Sequence, residues 1–96
     1  MKIHQKGFLL VELSQHESIW DVDLISILLK EYDLSGDYWF KSTCVTLDEL
    51  ASAGLIARID SRLDEGLFAS KQRVMFKYQL TDFGRARMHS TGLLTS

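Results

Sequence analysis

The feature that most constrains the fold is a change in hydrophobic period at Gly54. Before it, over residues 38–53, apolar side chains recur every three or four residues, which is the spacing of one face of an α-helix. After it, over residues 73–80, apolar and polar side chains alternate, which is typical of a half-buried β-strand. A glycine just past a helix is a common left-handed stop. The sequence therefore predicts a helix that leads into a β-hairpin.

Helix 38–53 has two faces, which follow from a step of 100° per residue. The inner face is predicted to hold Phe40, Cys44, Leu47, Leu50 and Ala51. The outer face is predicted to hold Tyr38, Lys41, Ser42, Val45, Glu49 and Ser52. A second capping box at Thr46–Glu49 would split this helix in two, but we favour one helix because the apolar face is continuous.

The hairpin is predicted from a β-rich segment, residues 55–63, a loop over 64–72 and the alternating strand 73–80. On that second strand, the apolar set and the polar set are predicted to face opposite sides of the sheet. The predicted inner set is Val74, Phe76, Tyr78 and Leu80. The predicted polar set is Arg73, Met75, Lys77 and Gln79.

Three more helices complete the prediction. One covers about residues 3–14, and another runs to about Glu31 from a capping box of Ser18 and Asp21. Thr81 is a good N-cap for a last helix over 82–90. Because two strands alone are marginal in water, they must pack on the helices. The sequence thus predicts one compact α+β domain over residues 1–96.

Composition narrows the class of function. The 96 residues carry a net charge of −2, with 4 basic and 8 acidic residues in positions 1–48 and 7 and 5 in positions 49–96. A single cysteine allows neither an internal disulfide nor a zinc site of several thiolates, which favours a cytoplasmic protein. The apolar run Phe8–Val11 is too short for a membrane span. We find no catalytic arrangement and expect neither an enzyme nor a cofactor.

Two motifs carry a resemblance to a known family. They are Leu47-x-x-Leu50-x-x-x-Gly54-Leu55-Ile56 and Tyr78-x-Leu80-Thr81-x-x-Gly84-Arg85, about one hairpin apart. Together they resemble the winged helix-turn-helix family, in particular PadR-like and MarR-like transcriptional regulators, over residues 8–90. The resemblance implies three helices, a two-stranded wing over about 55–80 and a C-terminal helix. The chain departs from the PadR pattern because it has no long C-terminal dimerisation helix.

The resemblance also implies binding of double-stranded DNA. Helix 38–53 would enter the major groove, and the loop at 63–72 would lie near the minor groove or the backbone. The predicted DNA-binding residues are Tyr38, Lys41, Ser42, Val45, Arg58, Arg62, Lys71, Arg73 and Lys77. The alternative for the helix is an ordinary solvated face, and for the wing it is charge that protects an exposed strand edge.

A regulator of this kind is expected to act as a homodimer, because one small domain buries too little DNA surface for tight specific binding. The dimer would use the N-terminal helix, the C-terminal helix or both, with weak support from Leu93 and Leu94. The main alternative is a protein-interaction module, an accessory or phage-type adaptor or inhibitor, that docks through the region of Trp39 and Phe68. A small-molecule sensor in a dimer cleft is a third possibility.

The remaining candidate groups have simpler interpretations. Most of Trp20, Tyr32, Trp39 and Phe40 are predicted to lie in the core, with Trp39 near its edge. Cys44 is interpreted as a small buried apolar residue rather than a redox sensor. Glu12 and His16 are interpreted as a surface pair, because two ligands do not make a metal site.

Overall fold

Four helices and three strands follow one another in the computed structural model, which describes residues 4–64 and 73–92. They are α1 (Gln5–Ser14), β1 (Ile19–Trp20), α2 (Asp21–Glu31), α3 (Asp37–Ser52), β2 (Ile56–Asp64), β3 (Arg73–Leu80) and α4 (Asp82–Ser90). The predicted α+β class is confirmed, and the predicted helices and hairpin lie within a few residues of their expected bounds. Phe68, Lys71 and the pair Leu93–Leu94 lie outside the described residues.

The strands form one antiparallel sheet in the order β1-β3-β2. The hairpin pairs β2 with β3 from Ile56 opposite Leu80 to Asp64 opposite Arg73. The register shifts by one residue between Arg58 and Asp60, so Ile59 is the extra residue of a bulge. The predicted antiparallel hairpin is confirmed, with its first strand over residues 56–64 rather than 55–63.

The core lies where all four helices meet the base of the hairpin. Leu47 and Leu50 of α3 are buried as predicted, and Phe40 and Cys44 pack against the core while staying half-buried. The largest fully buried side chains are Leu9, Leu13, Leu24, Ile25, Leu28, Leu47, Ile56, Tyr78 and Met88. Burial of side chains from every helix and from β2 and β3 makes the hairpin base part of the same core.

The start of α2 differs from the prediction. Ser18 does not cap it; the N-cap residue is Trp20, whose side chain makes no capping hydrogen bond. Instead Ile19 and Trp20 form a two-residue strand that pairs with Tyr78 and Lys77 of β3. Burial of Ile19 and pairing of the backbone with β3 thus hold residues 19 and 20 in an extended conformation. Helix α2 therefore begins at Asp21.

The predicted faces of β3 are wrong near the distal end of the hairpin. Met75, predicted to be polar-facing, is only 6% exposed, whereas Val74, predicted to face inward, is 47% exposed. Val74 pairs with Leu63, which is exposed to a similar extent. Alternation gives the side of the sheet on which a residue lies, but not whether another element covers that side. On the side of Val74 the hairpin extends past the core, whereas on the side of Met75 the sheet is covered where Arg62, the cross-strand partner of Met75, reaches Trp20.

The two motifs of the resemblance meet in space. Gly54 has a positive φ of 81°, so it is the left-handed helix stop that the sequence predicts. The Thr81 hydroxyl accepts from the Gly84 amide at 2.8 Å, as an N-cap should, and donates to the Gly54 carbonyl at 2.7 Å. A Cβ on Gly84 would lie 2.0 Å from the carbonyl oxygen of Leu55. The end of α3 and the start of α4 are thus locked together.

Candidate nucleic-acid interface

The solvent-facing side of α3 is one continuous surface. Tyr38 is 71% exposed and Val45 is 58% exposed. A shallow depression along this side, which we call the α3 outer face, is lined by Tyr38, Lys41, Ser42, Val45, Thr46 and Glu49. The inner side of the same helix holds Leu47 and Leu50 in the core, so packing fixes which residues the helix presents to solvent. Four of the nine predicted DNA-binding residues lie together on this surface.

Charge on α3 is mixed, and its single lysine is paired within the helix. Lys41 Nζ lies 3.0 Å from a carboxylate oxygen of Asp37, one turn earlier, and both side chains are exposed. Glu49 lies 3.6 Å from Lys6 of α1. Exposed pairs of this kind contribute about 0–1 kcal/mol, so the Lys41 ammonium can exchange Asp37 for a phosphate at little cost.

Arg58, by contrast, is held by three groups of the protein itself. Its guanidinium pairs with the carboxylate of Asp48 on α3, and its Nε donates to the Tyr78 hydroxyl at 3.0 Å. The guanidinium carbon also lies 4.1 Å from the centre of the Phe76 ring. Arg58 therefore ties α3 to both strands of the hairpin, and a phosphate would have to displace these contacts.

Tyr78, the partner of Arg58, is a buried tyrosine at the point where β3 crosses the core. Burial raises the pKa of its hydroxyl above the ordinary value of 10.0, while the hydrogen bond and the charge of Arg58 partly oppose that rise. The phenol is thus neutral at physiological pH and serves as a fixed acceptor for Arg58.

A second basic group lies on the other face of the sheet. Trp20 and Lys77 pair across β1 and β3, so their side chains share the face away from Tyr78. The Arg62 guanidinium lies 4.9 Å from the centre of the Trp20 ring, and the Lys77 ammonium lies 5.7 Å from it. We call these three residues the Trp20 cluster. The Arg62 and Lys77 side chains thus both make cation–π contacts with the Trp20 ring.

The structure thus brings the described, predicted DNA-binding residues together in two groups, the α3 outer face and the Trp20 cluster, with Arg58 set apart in its own network. Arg73 lies in β3 opposite Asp64, but its side chain lies outside the described residues, as does Lys71. Sequence reasoning missed the place of Trp20, because a strand of two residues has no period by which to recognise it.

The aromatic residues predicted for the core are half-buried. Tyr32 and Phe40 pack against the core cluster, and Tyr32 also meets the Phe8 ring edge-on at 5.5 Å. Trp39 is half-buried, and its ring centre lies 5.0 Å from that of Tyr38. Trp39 therefore supports the exposed Tyr38 ring.

His16 Nε2 lies 3.8 Å from Glu12 Oε2 at the C-terminal end of α1, which confirms the two residues as a surface pair. Residues 4–64 and 73–92 contain no group of three or more His, Cys, Asp or Glu side chains placed to hold a metal ion. In the same residues, no helix combines the length and the apolar character needed to cross a membrane.

No protein family matches the chain, and neither curated proteins nor solved structures give a significant match.

Proposed function

We propose that this chain is a cytoplasmic winged helix-turn-helix domain that binds double-stranded DNA as a transcriptional regulator. In this proposal the α3 outer face enters the major groove and the β2–β3 hairpin is the wing. The observation that carries the proposal is the grouping of Tyr38, Lys41, Ser42 and Val45 on one exposed helix face directly before a projecting hairpin. Such a face combines hydrogen-bonding groups with an apolar contact for a thymine methyl.

The architecture supports this proposal. Three helices, a two-stranded hairpin after α3 and the C-terminal helix α4 match the element order that the resemblance implies. The junction through Gly54, Thr81 and Gly84 holds the wing against the end of α3. Arg58 adds a second link between them through Asp48. The helix and the wing are therefore positioned as one unit, which is what recognition across a groove and the adjoining backbone needs.

The electrostatics predict modest, salt-sensitive affinity. Lys41, Arg62 and Lys77 are the described basic side chains on the two candidate groups. Each phosphate contact contributes about 0.9 to the steepness with which log affinity falls as log salt rises, so three contacts give a slope of about −2.7. The acidic residues Asp37 and Glu49 reduce the local positive potential and keep non-specific binding weak.

Fluorescence anisotropy against a random-sequence duplex pool, at low and at moderate salt, tests the proposal. Wild type is expected to bind at low salt. Lys41→Ala and Lys77→Ala are each expected to weaken binding several-fold and to make the salt slope shallower by about 0.9. Arg87→Ala on α4 removes the same charge outside both groups and is the matched control. It is expected to change neither quantity beyond a small uniform effect of net charge.

Failure of wild type to bind at low salt would exclude the DNA proposal. Equal losses in Lys41→Ala and Arg87→Ala would show that only net charge matters and that α3 does not contact the duplex. Because the Lys41 and Arg87 side chains are both exposed, the two variants should melt at temperatures close to that of wild type. The melting temperature thus separates loss of binding from loss of fold.

A protein-interaction module is the second candidate, and one observation favours it. The α3 outer face carries two large exposed apolar side chains, Tyr38 and Val45, and α3 as a whole has three acidic residues against one lysine. Exposed aromatic residues are common anchors at protein interfaces. If DNA binding fails, Tyr38→Ala should abolish capture of a protein partner from native lysate, whereas Arg87→Ala should not.

A further inference from the structure

The outer edge of β2 is open in the described part of the chain. β2 pairs with β3 along one side, and residues 58–63 are all exposed. The Ser61 amide donates to its neighbour, the Asp60 carboxylate, at 2.8 Å, so this N–H faces outward rather than into the ladder with β3. Ile59 and Leu63 are each 48% exposed. An edge with an outward amide held by a neighbouring side chain, and with exposed apolar side chains, is a template for a further strand.

We propose that this edge pairs antiparallel with the same edge of a second copy of the chain, about a two-fold axis at Ser61. The outward-facing Ser61 would then exchange two backbone hydrogen bonds with Ser61 of the second copy. The two three-stranded sheets would join into one sheet of six strands. The proposal concerns self-association and does not depend on DNA binding.

Charge complementarity selects this occupant and this register. With the axis at Ser61, Asp60 lies opposite Arg62 of the second copy, and symmetry makes the same pair twice. Each Arg62 guanidinium would turn from the Trp20 ring, where it lies in the single chain, toward the open edge. Ile59 likewise lies opposite Leu63 of the second copy. An axis at Asp60 would place two aspartates opposite each other, and an axis at Arg62 would do the same with two arginines. Opposite charges across a strand pair stabilise it and like charges destabilise it, so one register is preferred.

Charges and a bulge on an edge strand usually prevent pairing. An edge charge prevents pairing when a second copy of the strand places a like charge directly opposite it. Asp60 and Arg62 alternate in sign, so an antiparallel copy brings the opposite charge instead. The bulge at Ile59 lies at one end of this segment and leaves residues 60–64 in regular register with β3.

The terminal helices, which the sequence analysis favoured for a dimer, offer less surface. The apolar side chains of α1 that the structure describes are buried or half-buried against the core. On α4, Phe83 is the large exposed apolar side chain among residues 82–90. The β2 edge combines exposed apolar side chains, complementary charges and an outward-facing backbone amide in one segment.

The test is a charge swap followed by sedimentation of the full chain at high micromolar concentration. Wild type is expected to sediment as two chains of 11.0 kDa each. Asp60→Arg and Arg62→Asp should each sediment as one chain, because each creates two like-charge pairs. An equimolar mixture of these two variants should recover the two-chain species, since every pair across the axis then has opposite signs. The double variant should also recover it by itself.

Two further variants keep the test independent of folding. Glu17→Arg changes charge by the same amount in an exposed loop and should leave the two-chain species intact. Ser61→Pro removes the outward N–H, together with its bond to Asp60, and should prevent association while circular dichroism shows a folded domain. A wild type that sediments as one chain would overturn the proposal. So would a two-chain species that persists in Asp60→Arg, or a mixture of the two single variants that stays at one chain.

Discussion

At the base of the hairpin, Ile56 and Tyr78 are buried in the core, whereas in its distal half Leu63 and Val74 are exposed to solvent. Both halves belong to the same two strands. The base receives Arg58, Asp48 and the junction at Gly54, while the distal half carries the bulge and the open edge. The difference is that the base of the hairpin completes the core, whereas Leu63 and Val74 in its distal half remain exposed.

The largest effect on stability is expected at the junction of Gly54, Thr81 and Gly84, next to the base of the hairpin. Gly84→Ala would place a Cβ 2.0 Å from the backbone oxygen of Leu55, and backbone cannot move aside as a flexible side chain can. We expect a loss of about 3 kcal/mol or more in the free energy of unfolding, measured by urea denaturation. Ala86→Ser on the exposed side of α4 is the control and should cost only a few tenths of a kcal/mol. A stable Gly84→Ala variant would mean that the junction is looser than described.

A smaller effect is expected inside the base. Tyr78→Phe removes the acceptor of Arg58 and should cost about 1 kcal/mol near neutral pH. The substitution should also change how the free energy of unfolding depends on pH above pH 10.0. Because burial raises the pKa of Tyr78, the folded protein keeps a proton that the unfolded chain releases above pH 10.0. The contribution of Tyr78 is therefore complete below that pH and falls as the pH rises beyond it.

The difference between wild type and Tyr78→Phe isolates this contribution, since the lysines titrate in both proteins. Urea denaturation at a series of pH values should show a constant difference up to about pH 9 and a shrinking one at higher pH. A difference that grows with pH would contradict the stated environment of Tyr78.

The smallest effect is expected in the distal half. Val74→Thr replaces an exposed side chain by one of the same shape and should change stability by less than about 0.5 kcal/mol. The same substitution at the buried Val22 places a hydroxyl in an apolar site and should cost more than about 1 kcal/mol. Thermal melting of the two variants compares exposed and buried positions directly. Equal losses at both would remove the distinction between the two kinds of site.

Local signals explain what the sequence could predict. The left-handed Gly54 and the cap at Thr81 depend on residues within one turn, and both are confirmed. The hairpin follows from alternation over 73–80. The α3 outer face follows from helix period alone, which is why its four predicted residues lie together.

The rest depends on residues far apart in the chain. The exposure of Val74 and the burial of Met75 depend on which elements cover each side of the sheet. Arg58 looked like a wing cation, but packing of α3 against β2 brings Asp48 within reach of it, and no local pattern indicates that pair. The strand Ile19–Trp20 exists only because β3 lies beside it.

The central claim is that the α3 outer face and the Trp20 cluster contact DNA, while Ile56 and Tyr78 at the base of the hairpin lie in the core and support them. A two-dimensional amide NMR titration of the folded protein with duplex DNA at low salt tests it most directly. The account predicts shifts concentrated at Tyr38, Lys41, Ser42 and Val45 and at the Trp20 cluster, with Ile56 and Tyr78 unchanged. Shifts confined to α1 and α4, or no shifts at saturating duplex, would contradict it.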